Sequence, residues 1–135
     1  MTDKRIALLL TRPLAQSKGF VNLFEGVSQP SLIHICISPL FEIIFQGPLP
    51  DMSPYRSLIF TSSNGVRAFS QLNPSSILPS LTVGKVTAET AISVGLPAQM
   101  LGLDVQDFTE AILSLKPETP CLHLRGDISR SALAT

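Results

Sequence analysis

Charge is scarce and balanced. Asp, Glu, Lys and Arg make up 15% of the 135 residues, ten basic against ten acidic. No Lys/Arg-rich run is present, so the electrostatic footprint of a nucleic-acid or anionic-membrane binder is missing and neither partner is expected. Cysteine is equally sparse. Cys36 and Cys121, the only two, sit among apolar residues in strand-like runs, without the clustered Cys/His spacing of metal sites. They are expected to be reduced thiols packed in a core, as suits a cytosolic protein. His34 and His123 each lie two residues from one of them, which puts each pair on one face of an extended segment. Nothing else resembles a zinc ribbon or finger, and no metal is expected.

Long apolar runs are absent too. Ile6-Ala7-Leu8-Leu9-Leu10 follows Lys4 and Arg5 but is too short for a signal-peptide core. The stretch from Leu32 to Phe45 is broken by His34, Ser38, Pro39 and Glu42 and falls short of the roughly 20 residues needed to span a bilayer. The expectation is a soluble, cytoplasmic chain. Apolar residues still make up 44% of it, a globular composition able to bury a core without disulfide or metal.

What is present is an alternation. Runs rich in Val, Ile and Leu occur at Ile6–Leu10, Ile33–Ile37, Leu58–Phe60, Leu81–Val83, Met100–Leu103 and Cys121–Leu124. Segments of helical period lie between several of them, which is the pattern of a parallel α/β sheet covered by helices. Phe20, Leu23, Phe24 and Val27 fall at i, i+3, i+4, i+7, and Phe108, Ala111, Ile112 and Leu115 repeat that spacing. Shorter helices are expected over Asn64–Leu72 and Val86–Val94, the second closed by Gly95 in the left-handed region. Asp107 with Glu110 reads as a capping pair opening the Phe108 helix. Pro and Gly cluster in Gly47–Pro54 and Pro74–Pro79, which read as surface loops. Asp127–Thr135 reads as the start of a helix that the sequence leaves incomplete, so the terminus is expected to be a cut.

In open α/β sheets ligands bind beyond the carboxyl ends of the strands. Those positions hold Thr11-Arg12-Pro13, Thr61-Ser62-Ser63-Asn64-Gly65, Gly84 with Thr87, and Arg125-Gly126-Asp127. They lack paired carboxylates, a Ser/His/Asp set, G-x-G-x-x-G and G-x-x-x-x-G-K-[ST], which removes the common hydrolase, dinucleotide and nucleoside-triphosphate readings. A hydroxyl- and amide-rich anion-binding surface is left. Thr61 to Gly65 leaves a strand and opens a helix, so free N–H groups and the positive dipole end converge there. The plainer alternative makes Ser62 or Ser63 an ordinary N-cap and Gly65 an accident of the turn. Thr87 is expected to present an exposed hydroxyl to the cleft, or else to be a helix-capping residue. Arg12 and Arg125 can each pair with a carboxylate in bidentate fashion, or be solvated surface charges.

Taken in order, Leu9-Leu10-Thr11-Arg12-Pro13, Pro39-Leu40-Phe41-Glu42, Ile59-Phe60-Thr61-Ser62-Ser63-Asn64-Gly65-Val66, Val83-Gly84-x-x-Thr87-Ala88 with Gly95, and Leu124-Arg125-Gly126 with Arg130 resemble the uroporphyrinogen-III synthase family. The resemblance implies flavodoxin-like or Rossmann-like parallel-sheet units in a two-domain fold, with the first domain built from both ends of the chain. Residues 1–37 would open domain one and residues 38–135 would form most of domain two. It further implies a monomer without cofactor that closes hydroxymethylbilane to uroporphyrinogen III, losing water and inverting ring D. Thr61, Ser62, Ser63 and Asn64 would hold ring carboxylates, with Gly84 and Arg125 also binding substrate. Thr87 would assist departure of the hydroxyl, and Arg12 would stand at the cleft mouth. With domain one incomplete, these 135 residues alone are expected to be inactive. Two competing readings are a flavodoxin-like module that binds an anion or flavin at the Thr61–Gly65 loop, and an inactive synthase fragment.

Overall fold

A computed structural model describes residues 6–26, 33–117 and 120–126. The elements run β1 (Ile6–Leu10), α1 (Leu14–Glu25), β2 (Ile33–Ile37), β3 (Ser57–Phe60), α2 (Ser63–Leu72), β4 (Ser80–Val83), α3 (Lys85–Ser93), β5 (Ala98–Gly102), α4 (Val105–Leu115) and β6 (Cys121–Leu124). All strand pairings are parallel. The protein is thus an α/β chain of alternating strands and helices. None of the described helices is long and apolar enough to cross a membrane. Val27, Arg130 and the incomplete helix expected from Asp127 lie outside the described residues.

The chain divides into two compact units, residues 1–44 and 45–135. In the first, β1 and β2 form a two-stranded sheet. Residues after β2 stay with this unit because Ser38 N–H donates to the Leu10 carbonyl at 2.9 Å and Leu40 N–H to that of Thr11 at 3.0 Å. Ile33, Ile35 and Ile37 are half-buried, whereas His34 and Cys36 on the alternate face are exposed. Cys36 is therefore not the core thiol its apolar neighbours suggest, since the period-two alternation of the strand turns it outward. With only two strands beside it, α1 buries fully only Ser17 among its residues and leaves Leu23 75% exposed.

The second unit is a four-stranded sheet in the order β5-β4-β3-β6. Strand side chains alternate between two cores. Leu58 and Phe60 pack with Val66 and Phe69 of α2 and Ala91 of α3. Leu81 and Val83 pack with Phe108 of α4, joined by Ile59. Helices α2 and α3 therefore cover one face and α4 the other. The edges of β4 and β5 differ from the apolar runs because pairing sets them: Ser80 is 1% exposed, and its N–H and hydroxyl both donate to the Pro97 carbonyl at 2.8 Å.

Helix α4 opens earlier than the Asp107/Glu110 pair suggests. Its N-cap is Asp104, whose carboxylate accepts from Asp107 N–H at 2.9 Å. The reason lies at Gly102, where a Cβ would stand 2.5 Å from Phe108 N and 2.8 Å from Asp107 Cβ. The missing side chain lets the first turn of α4 lie on the end of β5, so the cap falls at Asp104.

A candidate carboxylate site at the strand ends

From β3 the chain proceeds to β4 and then β5 on one side, and then returns to place β6 on the other side of β3. The carboxyl ends of β3 and β6 thus meet where the strand order reverses, the position at which open α/β sheets bind ligands. Thr61 follows β3 and Arg125 follows β6. They are neighbours because Phe60 pairs with Leu124 in the ladder.

Helix α2 starts at this point uncapped. Its N-cap residue Ser62 is extended and exposed, and its hydroxyl makes no cap hydrogen bond. The first-turn N–H groups of a helix have no acceptor within the helix, and the Ser62 side chain does not supply one here. Ser62 is thus placed as an N-cap without acting as one. Gly65 is no accident of the turn either: a Cβ there would approach the Leu124 carbonyl oxygen to 3.0 Å and Phe60 Cδ1 to 3.4 Å. Glycine lets the first turn of α2 close onto the end of β6.

Arg67, which the sequence reading passed over, and His123, which it weighed only as half of a His/Cys pair, also bear on this loop. Arg67 Nη1 donates to Ser63 Oγ at 3.1 Å and to Asn64 Oδ1 at 3.4 Å, carrying an exposed guanidinium back over the first turn. Its spacing of three and four residues from Asn64 and Ser63 on a helix was the available signal. His123 Nε2 lies 3.5 Å from Thr61 Oγ1. Burial and, secondarily, the Arg125 charge lower its pKa, so the neutral imidazole is favoured. No local signal joins residues 62 positions apart.

At the neighbouring strand end, Gly84 is the N-cap of α3 with φ 76° and ψ 154°, a region essentially closed to other residues. Its N–H donates to the Gly102 carbonyl at 2.8 Å, so that amide serves the sheet. Thr87 is only 6% exposed and shares the buried side of α3 with Ala88 and Ala91. The expectation of an exposed hydroxyl on Thr87 is corrected: one helical turn after Gly84 the residue is buried. The capping alternative is also excluded, because Thr87 lies within α3. Arg12 is an exposed residue of the first unit, between β1 and α1; its carbonyl accepts from the buried Ser17 hydroxyl at 2.9 Å. Cys121 Sγ is 2.9 Å from Ser57 Oγ on β3. The two His/Cys pairs stand in different sheets, β2 in one and β6 in the other, and no group of three or more His, Cys, Asp or Glu able to hold a metal occurs among the described residues.

The second unit is a parallel α/β unit of the flavodoxin-like or Rossmann-like class, with a helix start, hydroxyls and an arginine gathered at its topological switch point. Within that class, the model of the uroporphyrinogen-III synthase HemD family matches residues 31–135, well over half of the chain, and the chain belongs to this family. No curated protein matches it.

Proposed function

We propose that the chain forms part of a uroporphyrinogen-III synthase, which converts hydroxymethylbilane to uroporphyrinogen III with loss of water and inversion of ring D. The observation that carries the proposal is the β3/β6 switch point, with the unused Ser62 cap and the Thr61–Gly65 amides beside Arg125, in a chain whose family has this activity in its name. The substrate is a linear tetrapyrrole bearing acetate and propionate side chains. Main-chain N–H groups at a helix start suit carboxylates, because the donors and the dipole act together and are already in place. Thr61, Ser62, Ser63 and Asn64 supply amides and hydroxyls, Arg125 supplies charge, and Gly84 allows the tight turn that begins α3. Arg12, an exposed residue of the first unit, is assigned to substrate binding.

Once the terminal hydroxyl has left, the resulting azafulvene is electrophilic without further activation. The protein's contribution is therefore to position the ends of the chain and to stabilise charge, more than to supply strong acid or base. Thr87 is the residue assigned to the departing hydroxyl. Residues 1–37 are assigned to the opening of domain one and residues 38–135 to most of domain two, a division close to the unit boundary at residues 44 and 45, and the enzyme acts as a cytoplasmic monomer without cofactor. The test is chromatographic separation of ring isomers after incubation with hydroxymethylbilane. An enzyme carrying both complete domains yields the type III isomer, and the 135-residue chain gives only the unrearranged background. Unrearranged product alone from the complete enzyme would defeat the proposal.

A further inference from the structure

We infer that His123 is a positioning residue: through Nε2 it fixes the Thr61 hydroxyl at the β3/β6 switch point, so that Thr61 and Arg125 address one carboxylate together. The inference rests on the carboxylate site proposed above and adds a residue to it. Three observations converge. His123 Nε2 is 3.5 Å from Thr61 Oγ1. Ladder pairing of Ile59 with His123 and of Phe60 with Leu124 holds the two strand ends in one register, so the imidazole and the hydroxyl meet across neighbouring strands. The Gly65 contact with Leu124 presses the loop that begins at Thr61 onto the same strand end.

A threonine hydroxyl at the end of a strand rotates freely unless something holds it. A neutral imidazole can do so, because one ring nitrogen accepts while the other donates. A protonated ring would offer only donors and would compete with Arg125 for the anion. Burial beside Arg125 favours the neutral form, which leaves the guanidinium as the cation of this pair.

The test uses the 135-residue chain, tricarballylate as a carboxylate probe, and amide and imidazole nitrogen NMR. Thr61→Val and His123→Leu are each expected to weaken tricarballylate binding by about 3- to 10-fold, the range for one lost hydrogen bond. The double variant should bind no more weakly than either single one, since both remove the same contact. His123→Gln, which keeps a hydrogen-bonding group, should stay within about twofold of the parent. The His123 nitrogen shifts should move in Thr61→Val. Unchanged binding in His123→Leu, multiplicative losses in the double variant, or unmoved His123 nitrogens in Thr61→Val would each overturn the inference. If tricarballylate leaves the Ser62–Gly65 amides of the parent unmoved, it is the carboxylate site that fails, while the imidazole nitrogens still judge the His123–Thr61 contact.

Discussion

Replacing Gly65 by Ala sets two effects of opposite sign against each other. Glycine inside a helix costs roughly 0.5–1 kcal/mol relative to alanine, so relief of that cost favours the variant, at the low end of the range for a first-turn position. Against it, the new methyl would stand 3.0 Å from the Leu124 carbonyl oxygen and 3.4 Å from Phe60 Cδ1. Neither neighbour can withdraw. Leu124 is laddered to β3, and Phe60 is 0% exposed and packs edge-on against Phe69 at 6.0 Å. Overpacking of this kind costs about 1–3 kcal/mol, so the net expectation is a loss of about 1 kcal/mol, or roughly 4–8 °C in melting temperature for a unit of this size. The sequence holds no Trp and one Tyr. Tyr55 lies in the second unit, so its fluorescence during urea unfolding reports that unit alone. Gly19, in the middle of α1, has nothing within 4 Å of its would-be Cβ. Gly19→Ala, followed by circular dichroism, should therefore stabilise by about 0.5–1 kcal/mol. A Gly65→Ala protein as stable as the parent would refute the close approach of α2 to β6.

Further outcomes are expected elsewhere. Gly102→Ala drives a methyl into Phe108 N and Asp107 Cβ at 2.5 and 2.8 Å; it should cost about 3 kcal/mol on the same fluorescence assay, and a loss under about 1 kcal/mol would count against the packing of α4. Because the folded state lowers the His123 pKa, the unfolded chain takes up that proton more readily. The stability at stake is complete above about pH 6.5 and drains away as pH falls toward the folded value. His123→Gln should flatten the difference in urea midpoint between about pH 5.5 and 7.5, and an unchanged difference would assign it to other groups. Thr87→Ala in a complete synthase should slow type III isomer formation by about 10- to 1,000-fold, the contribution of an assisting hydroxyl. Because Thr87 is buried, the same change should also lower stability by about 1 kcal/mol, for a lost methyl; parent-like isomer yields would return Thr87 to a packing role.

How much of this was legible in the sequence depends on whether the cause was local. β1, β2 and β6 match the apolar runs residue for residue, because Lys4-Arg5, Ser38-Pro39 and Pro120 bound those runs sharply. The closure of α3 by Gly95 was legible for the same reason, and φ at that residue is 86°. Asp104-x-x-Asp107 and Asp107-x-x-Glu110 are equally good opening patterns, and only the approach of α4 to Gly102 decides between them. Cys36 lies in an apolar stretch whose outward face could not be known before the pairing of β1 with β2. The strand-end residues were readable as a class from the alternation of strands and helices. The pairing of β6 with β3, which makes the Thr61 end the switch point, depends on chain return over more than 60 residues and left no local trace.

The account stands most directly on an amide-resolved titration of the chain with uroporphyrin, a stable macrocycle carrying the acetate and propionate groups of the reaction. Saturable shifts are expected at Ser62, Ser63 and Gly65 and at Arg125 and Gly126. Val105 and Asp107, at the start of the α4 helix that Asp104 already caps, should stay still and serve as the internal control. Shifts at the α4 start with none at the α2 start, or no saturable shift at all, would contradict it.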